Sequence, residues 1–153
     1  MRRFAARIAA LSLAFLVGAA ATYVFNKCYI RFETFAVGSC RIGPDGYGGF
    51  TSYKSYDGVK LSFERVMFPS HESAAAAFNN ILKDAVQVVE REPLYDRGGG
   101  VNVGERVVAI FPPNEYVPSV WASVVCLDGD RLYRISSPSL RHVRAFDKAA
   151  RNY

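Results

Sequence analysis

The sequence predicts an α+β fold: an antiparallel β-sheet packed by one long amphipathic helix, in the order ββ-α-βββ-α, behind an N-terminal transmembrane or signal helix. Three observations predict it. An 18-residue stretch without a charge, residues 8–25, follows a short basic start. A helical apolar period runs from Ser70 to Glu92. Short alternating or apolar runs, separated by Asp-Gly and Pro-rich turns, occupy the rest. The expected organisation is a signal peptide or signal-anchor over residues 1–27, a linker with an edge strand over 28–49, and an α+β domain over 50–153.

The N-terminal segment carries Arg2, Arg3, Arg7 and Lys27 and no acid. This is the pattern of export or membrane insertion, with the basic side retained in the cytoplasm. Two outcomes compete. Ala19-Ala20-Ala21 fits cleavage after Ala21, which would release a secreted or periplasmic domain. Retention fits better, because apolarity continues through Phe25 and 18 helical residues reach roughly 27 Å, enough to span a bilayer. The expected partner of residues 8–25 is therefore the lipid bilayer, with the domain outside the cytoplasm. Phe25-Asn26-Lys27 lacks the small residue that precedes a lipidated cysteine, so Cys28 is not expected to be acylated.

Residues 37–42 read as an edge strand and 43–49, GPDGYGG, as a loop. Residues 50–56 and 59–68 read as a hairpin around Asp57-Gly58, since tight turns need positive φ. Leu61 and Phe63 alternate with Ser62 and Glu64. The phase then changes near Arg65, where a bulge is expected. In the helix, Ala74, Ala77, Phe78, Ile81, Leu82, Ala85, Val88 and Val89 fill one arc roughly 140° wide. Ser70 suits its N-cap, Glu72 its positive end, and Pro93 its stop. After a glycine-rich loop at 98–104, residues 106–111 suit a strand covered on both faces, and 119–127 and 131–136 a hairpin around Asp128-Gly129-Asp130. Ser137, Pro138 and Ser139 start a last helix with Leu140, Val143, Phe146 and Ala150 on its apolar edge.

Charge separates along the chain. Of the net charge of +5, +4 lies in residues 1–27. The remainder is nearly neutral, which argues against nucleic acid as a partner. Within it, residues 28–130 hold nine basic and 13 acidic side chains, and residues 131–153 hold six basic against Asp147 alone. The two parts are expected to attract each other. Arg141, Arg144, Lys148 and Arg151 form a stripe on the last helix. It reads as a solvated face or as a contact for anionic headgroups or an acidic envelope protein.

Chemistry is sparse. His71 and His142 lie in no metal spacing, so neither metal nor cofactor is expected. There is no GxSxG and no CxxC. Ser136, Ser137 and Ser139 read as turn and cap residues. In an oxidising compartment Cys28, Cys40 and Cys126 allow one disulfide, Cys28–Cys40 or Cys40–Cys126, with all three reduced as the alternative. The expected function is a non-catalytic binding or accessory role in the cell envelope. The rivals are an envelope enzyme built from Cys40, His71 or His142, and an assembly protein whose membrane segment pairs with others.

Overall fold

In the computed structural model, which describes residues 30–96, 99–115 and 117–151, seven strands and two helices follow in the order βββ-α-ββββ-α. They are β1 Phe32–Ile42, β2 Gly46–Ser55, β3 Lys60–Met67, α1 His71–Lys83, β4 Gln87–Tyr95, β5 Asn102–Phe111, β6 Trp121–Asp128, β7 Arg131–Ser137 and α2 Leu140–Ala150. All seven strands join one antiparallel sheet, ordered β1-β2-β3-β7-β6-β5-β4. Two meanders, β1 to β3 and β4 to β7, meet where β3 pairs with β7. The sheet thus begins at Phe32, ahead of residue 50. Among the described residues no helix is long and apolar enough to cross a membrane. The expected anchor at residues 8–25 lies outside them.

The expectation of one packing helix is corrected to two, on opposite faces. Val107, Ala109 and Phe111 of β5 pack with Ala74 and Phe78 of α1. Val108 and Ile110, which point the other way, pack with Val143, Leu140 and Phe146 of α2. The near-continuous apolar run of β5 follows from this double cover. So does the phase change in β3. Leu61 faces α2 and Val66 faces α1, while the register with β2 and β7 runs unbroken through Arg65. The bulge expected there is absent; the strand buries one face at one end and the opposite face at the other.

A second correction concerns the long helix. It starts as expected, with the Ser70 hydroxyl accepting from the Ser73 amide, but it ends at Lys83. Residues 87–95 are an edge strand paired with β5. Val86, Val88 and Val89 are β-branched and fit a strand better than a helix. Their helical spacing coincides with that of Ala74 to Leu82. Pro93 lies within β4 opposite Glu105 and stops no helix, as an edge strand permits.

A third correction shortens both glycine-rich loops. Gly46 to Gly49 belong to β2, and Asn102 to Gly104 to β5. A Cβ at Gly48 would run into the Arg65 carbonyl, and one at Gly104 into that of Leu127, so these glycines allow close strand approach. The turns at Gly58 (φ 85°) and Gly129 (φ 60°) are where the Asp-Gly pairs place them.

Candidate functional site

The α2 face of the sheet is only half covered. Leu140, Val143 and Phe146 lie over the central rows, including Phe63–Ile135–Val124–Val108. Beyond the helix's C-terminal end two more cross-strand rows continue. One is Arg65–Tyr133–Cys126–Arg106–Glu92, the other Met67–Arg131–Asp128–Gly104–Leu94. There the sheet and the last turn of α2 enclose a cavity of about 570 Å³. Phe63, Tyr133, Ile135, Leu94 and Ala150 supply its apolar lining, and Arg65, Arg131 and Arg151 its cations.

One wall is a buried ion-pair network. The Arg106 side chain is 2% exposed. Its Nη2 and Nε donate to Asp147 Oδ2 at 2.7 and 3.1 Å, and its Nη1 reaches Glu90 and Glu92 at 3.3 and 3.4 Å. Asp147, itself buried, also accepts from Arg151 at 2.7 Å, and Glu90 from Arg144 at 2.5 Å. Burial pushes the Glu90 carboxyl up, but the hydrogen bonds from Arg106 and Arg144 outweigh it and hold the group below its usual range. Three carboxylates around one guanidinium offset a desolvation penalty that a buried charge could not otherwise bear.

The opposite rim differs. Arg65 is exposed and stacks 4.8 Å over the Phe63 ring, with no carboxylate within ion-pair reach among the described residues. Arg131, 55% exposed, donates to the Tyr133 side chain, and its acidic neighbour Asp130 stands 3.9 Å away. The cavity's charge is thus saturated on the α2 side and open on the β3–β7 side.

The basic stripe on α2 meets the same network. All four are exposed, and Arg144 and Arg151 turn to Glu90, Asp147 and Glu92 of the same chain. The expected attraction between the acidic and basic parts of the chain takes this form, with Arg134–Glu64 at 2.7 Å adding to it. At least two charges of the stripe are thus paired within the chain.

The sulfur chemistry is quiet. Cys40 and Cys126 are free thiols on opposite faces of the sheet, so no Cys40–Cys126 bond forms. Cys28 lies outside the described residues. Burial raises the Cys40 thiol, and burial with Asp147 nearby pushes Cys126 up to about 12. Neither is a thiolate at neutral pH. His71 contacts the Gly129 carbonyl through Nδ1 at 2.7 Å.

His142 has richer company. Its Nδ1 lies 2.7 Å from the Ser139 hydroxyl, and its Nε2 lies 3.0 Å from Asp57. Asp57 in turn accepts from the Ser55 hydroxyl at 2.5 Å, and these two hydrogen bonds hold its carboxyl below the usual range. Ser, His and Asp therefore do meet, and the Ser139 hydroxyl makes no cap bond but contacts His142. A hydrolytic triad buries its acid and opens its hydroxyl to a cleft. Here the Asp57 side chain is 57% exposed and His142 is buried, so the chain of bonds runs inside out. It ties the β2–β3 turn to the first turn of α2.

Sequence reasoning missed Arg106, Asp147, Arg65 and Tyr133. Two of them carried a signal: Arg106 opens the apolar run RVVAIF, and Asp147 is the single acid among six bases. The chain matches no protein-family model, and neither a curated protein nor a solved structure matches it.

Proposed function

We propose that this chain is a small envelope binding module, exported or held at the membrane by residues 8–25, that captures a ligand in the cavity beside the end of α2. The observation that carries the reading is the cavity itself. It is a concave, largely apolar space of about 570 Å³ with convergent polar groups, and small-molecule sites occupy roughly 300–1,000 Å³. The cysteine on its lining, Cys126, is held as a thiol, which favours binding over thiolate catalysis there. The uncharged stretch 8–25 behind clustered arginines supports the membrane placement.

The test uses the full-length chain in zwitterionic nanodiscs and a neutral fluorescent probe, N-phenyl-1-naphthylamine, with empty discs subtracted. A saturable site lost in Ala150→Trp, which occludes the cavity, supports the reading. A folded protein with no saturable site overturns it. The mass of a C-terminally tagged product in cell membranes tests the anchor, and a soluble product beginning at Thr22 overturns retention.

A second reading rests on the Ser139–His142–Asp57 chain of hydrogen bonds. As an envelope hydrolase the protein would react with a fluorophosphonate at Ser139, and His142→Gln would abolish the labelling. Absence of labelling removes this reading.

A further inference from the structure

We propose that the ligand of the cavity is a single-chain anionic amphiphile of the long-chain carboxylate class, its head held by Arg65 and Arg131 beside Tyr133. The inference rests on the binding reading above and names the chemistry of its ligand. Four arginines line the cavity, Arg65, Arg106, Arg131 and Arg151, against two acids, Asp128 and Asp147. Arg106 and Arg151 are committed to Asp147, Glu90 and Glu92. The uncommitted charge is on the other side. Arg65 has only a ring contact, and Arg131 has the Tyr133 side chain and a carboxylate no closer than 3.9 Å.

The register explains why these groups converge. Arg65 pairs directly with Tyr133, and Arg131 lies two residues along the same strand, opposite Met67. Residues two apart on a strand point to the same face, so both guanidinium groups and the phenol share one side of the mouth. Guanidinium groups present forked donors that match a carboxylate or sulfonate, and such charge-assisted bonds are stronger than neutral ones. Phe63 lies under Arg65 at this corner, and farther in, the lining continues with Ile135, Leu94, Ala150 and Cys126. An apolar body fits there; a second charge would meet Asp128 or Asp147. A cationic amphiphile would place its charge between two open arginines, and a neutral one would leave them unused.

The experiment compares two probes with the same rings. 1-Anilinonaphthalene-8-sulfonate carries an anionic head, and N-phenyl-1-naphthylamine carries none. With the full-length chain in zwitterionic nanodiscs, the sulfonate is expected to bind tighter by roughly tenfold or more, and decanoate to displace it. Arg65→Gln with Arg131→Gln, both exposed positions, should bring the preference close to unity. Asp128→Asn should tighten the sulfonate. Equal affinities in the wild type, or a preference that survives the double variant, overturn the anionic class while leaving a binding cavity. Failure of both probes to bind overturns the class and the binding reading together.

Discussion

Removing Asp147 is the sharpest test of how this fold tolerates a charge in its interior. Arg106 is 2% exposed, and its two shortest hydrogen bonds both end on Asp147 Oδ2. Asp147→Ala leaves the guanidinium buried, with only Glu90 and Glu92 at 3.3 and 3.4 Å. Breaking one side of a buried pair costs about 3–5 kcal/mol. The two remaining carboxylates place this case at the low end, about 3 kcal/mol. With a urea slope of about 2 kcal/mol/M, the unfolding midpoint falls by about 1.5 M. The single tryptophan, Trp121, stacks 4.5 Å from Phe111 and reports the transition by fluorescence. The companion variant Arg106→Met/Asp147→Leu removes both charges and should return to within about 1 kcal/mol of the wild type, because packed apolar groups replace ion pairs at little cost. If Asp147→Ala costs under about 1 kcal/mol, or the double variant is no better than the single, the pair does not compensate the buried charge and the argument fails.

Three further outcomes follow from the same geometry. In the folded chain Cys126, half-buried on the cavity wall, should react slowly with N-ethylmaleimide at pH 8, because its thiol is pushed up to about 12, and faster once urea unfolds the chain; peptide mass mapping reads this, and equally rapid labelling without urea refutes the raised pKa. Asp57 and Glu90 are both held below the usual carboxylate range, so their contribution is present above the unfolded value of about 4 and is lost as pH falls through the folded one. Urea midpoints measured from pH 7 down to pH 3 should fall less steeply in Asp57→Asn/Glu90→Gln than in the wild type, and an identical acid profile would count against both interactions. Gly48→Ala should destabilise by about 1–3 kcal/mol, since its Cβ meets the Arg65 carbonyl across β2 and β3; a neutral effect would show that these strands can separate freely.

What the sequence disclosed depended on whether one neighbour or many decided the outcome. The Asp57-Gly58 and Gly129 turns, the two-faced run of β5 and the Ser70 cap are local or one-strand properties, and each was readable. The end of α1 was not. Ala85, Val88 and Val89 keep the helical phase by coincidence, and the open edge of β5 recruits Val88 and Val89 into a strand. Local periodicity is silent about a free strand edge that lies further along the sequence. The same holds for the cavity. Arg65 looked like a phase error in a half-buried strand, and its meaning depends on Tyr133, which the β3–β7 pairing brings beside it.

The cavity has a simple geometric origin. The 11 residues of α2 extend about 16 Å at 1.5 Å each. The ten residues of β5 beneath it extend about 33 Å. A helix of that length cannot cover the strands it crosses even when it runs along them. The uncovered rows must then be polar, filled by another element, or open. This chain places Arg65 and Arg131 exposed on those rows, and Arg106 buried against Asp147 of α2, beside Phe63, Ile135 and Leu94. Cations alone would have sufficed to solvate an idle surface, and aromatics alone would have favoured aggregation. Their combination, with two arginines left uncommitted beside a phenol, is the arrangement that an anionic head with an apolar body would complete.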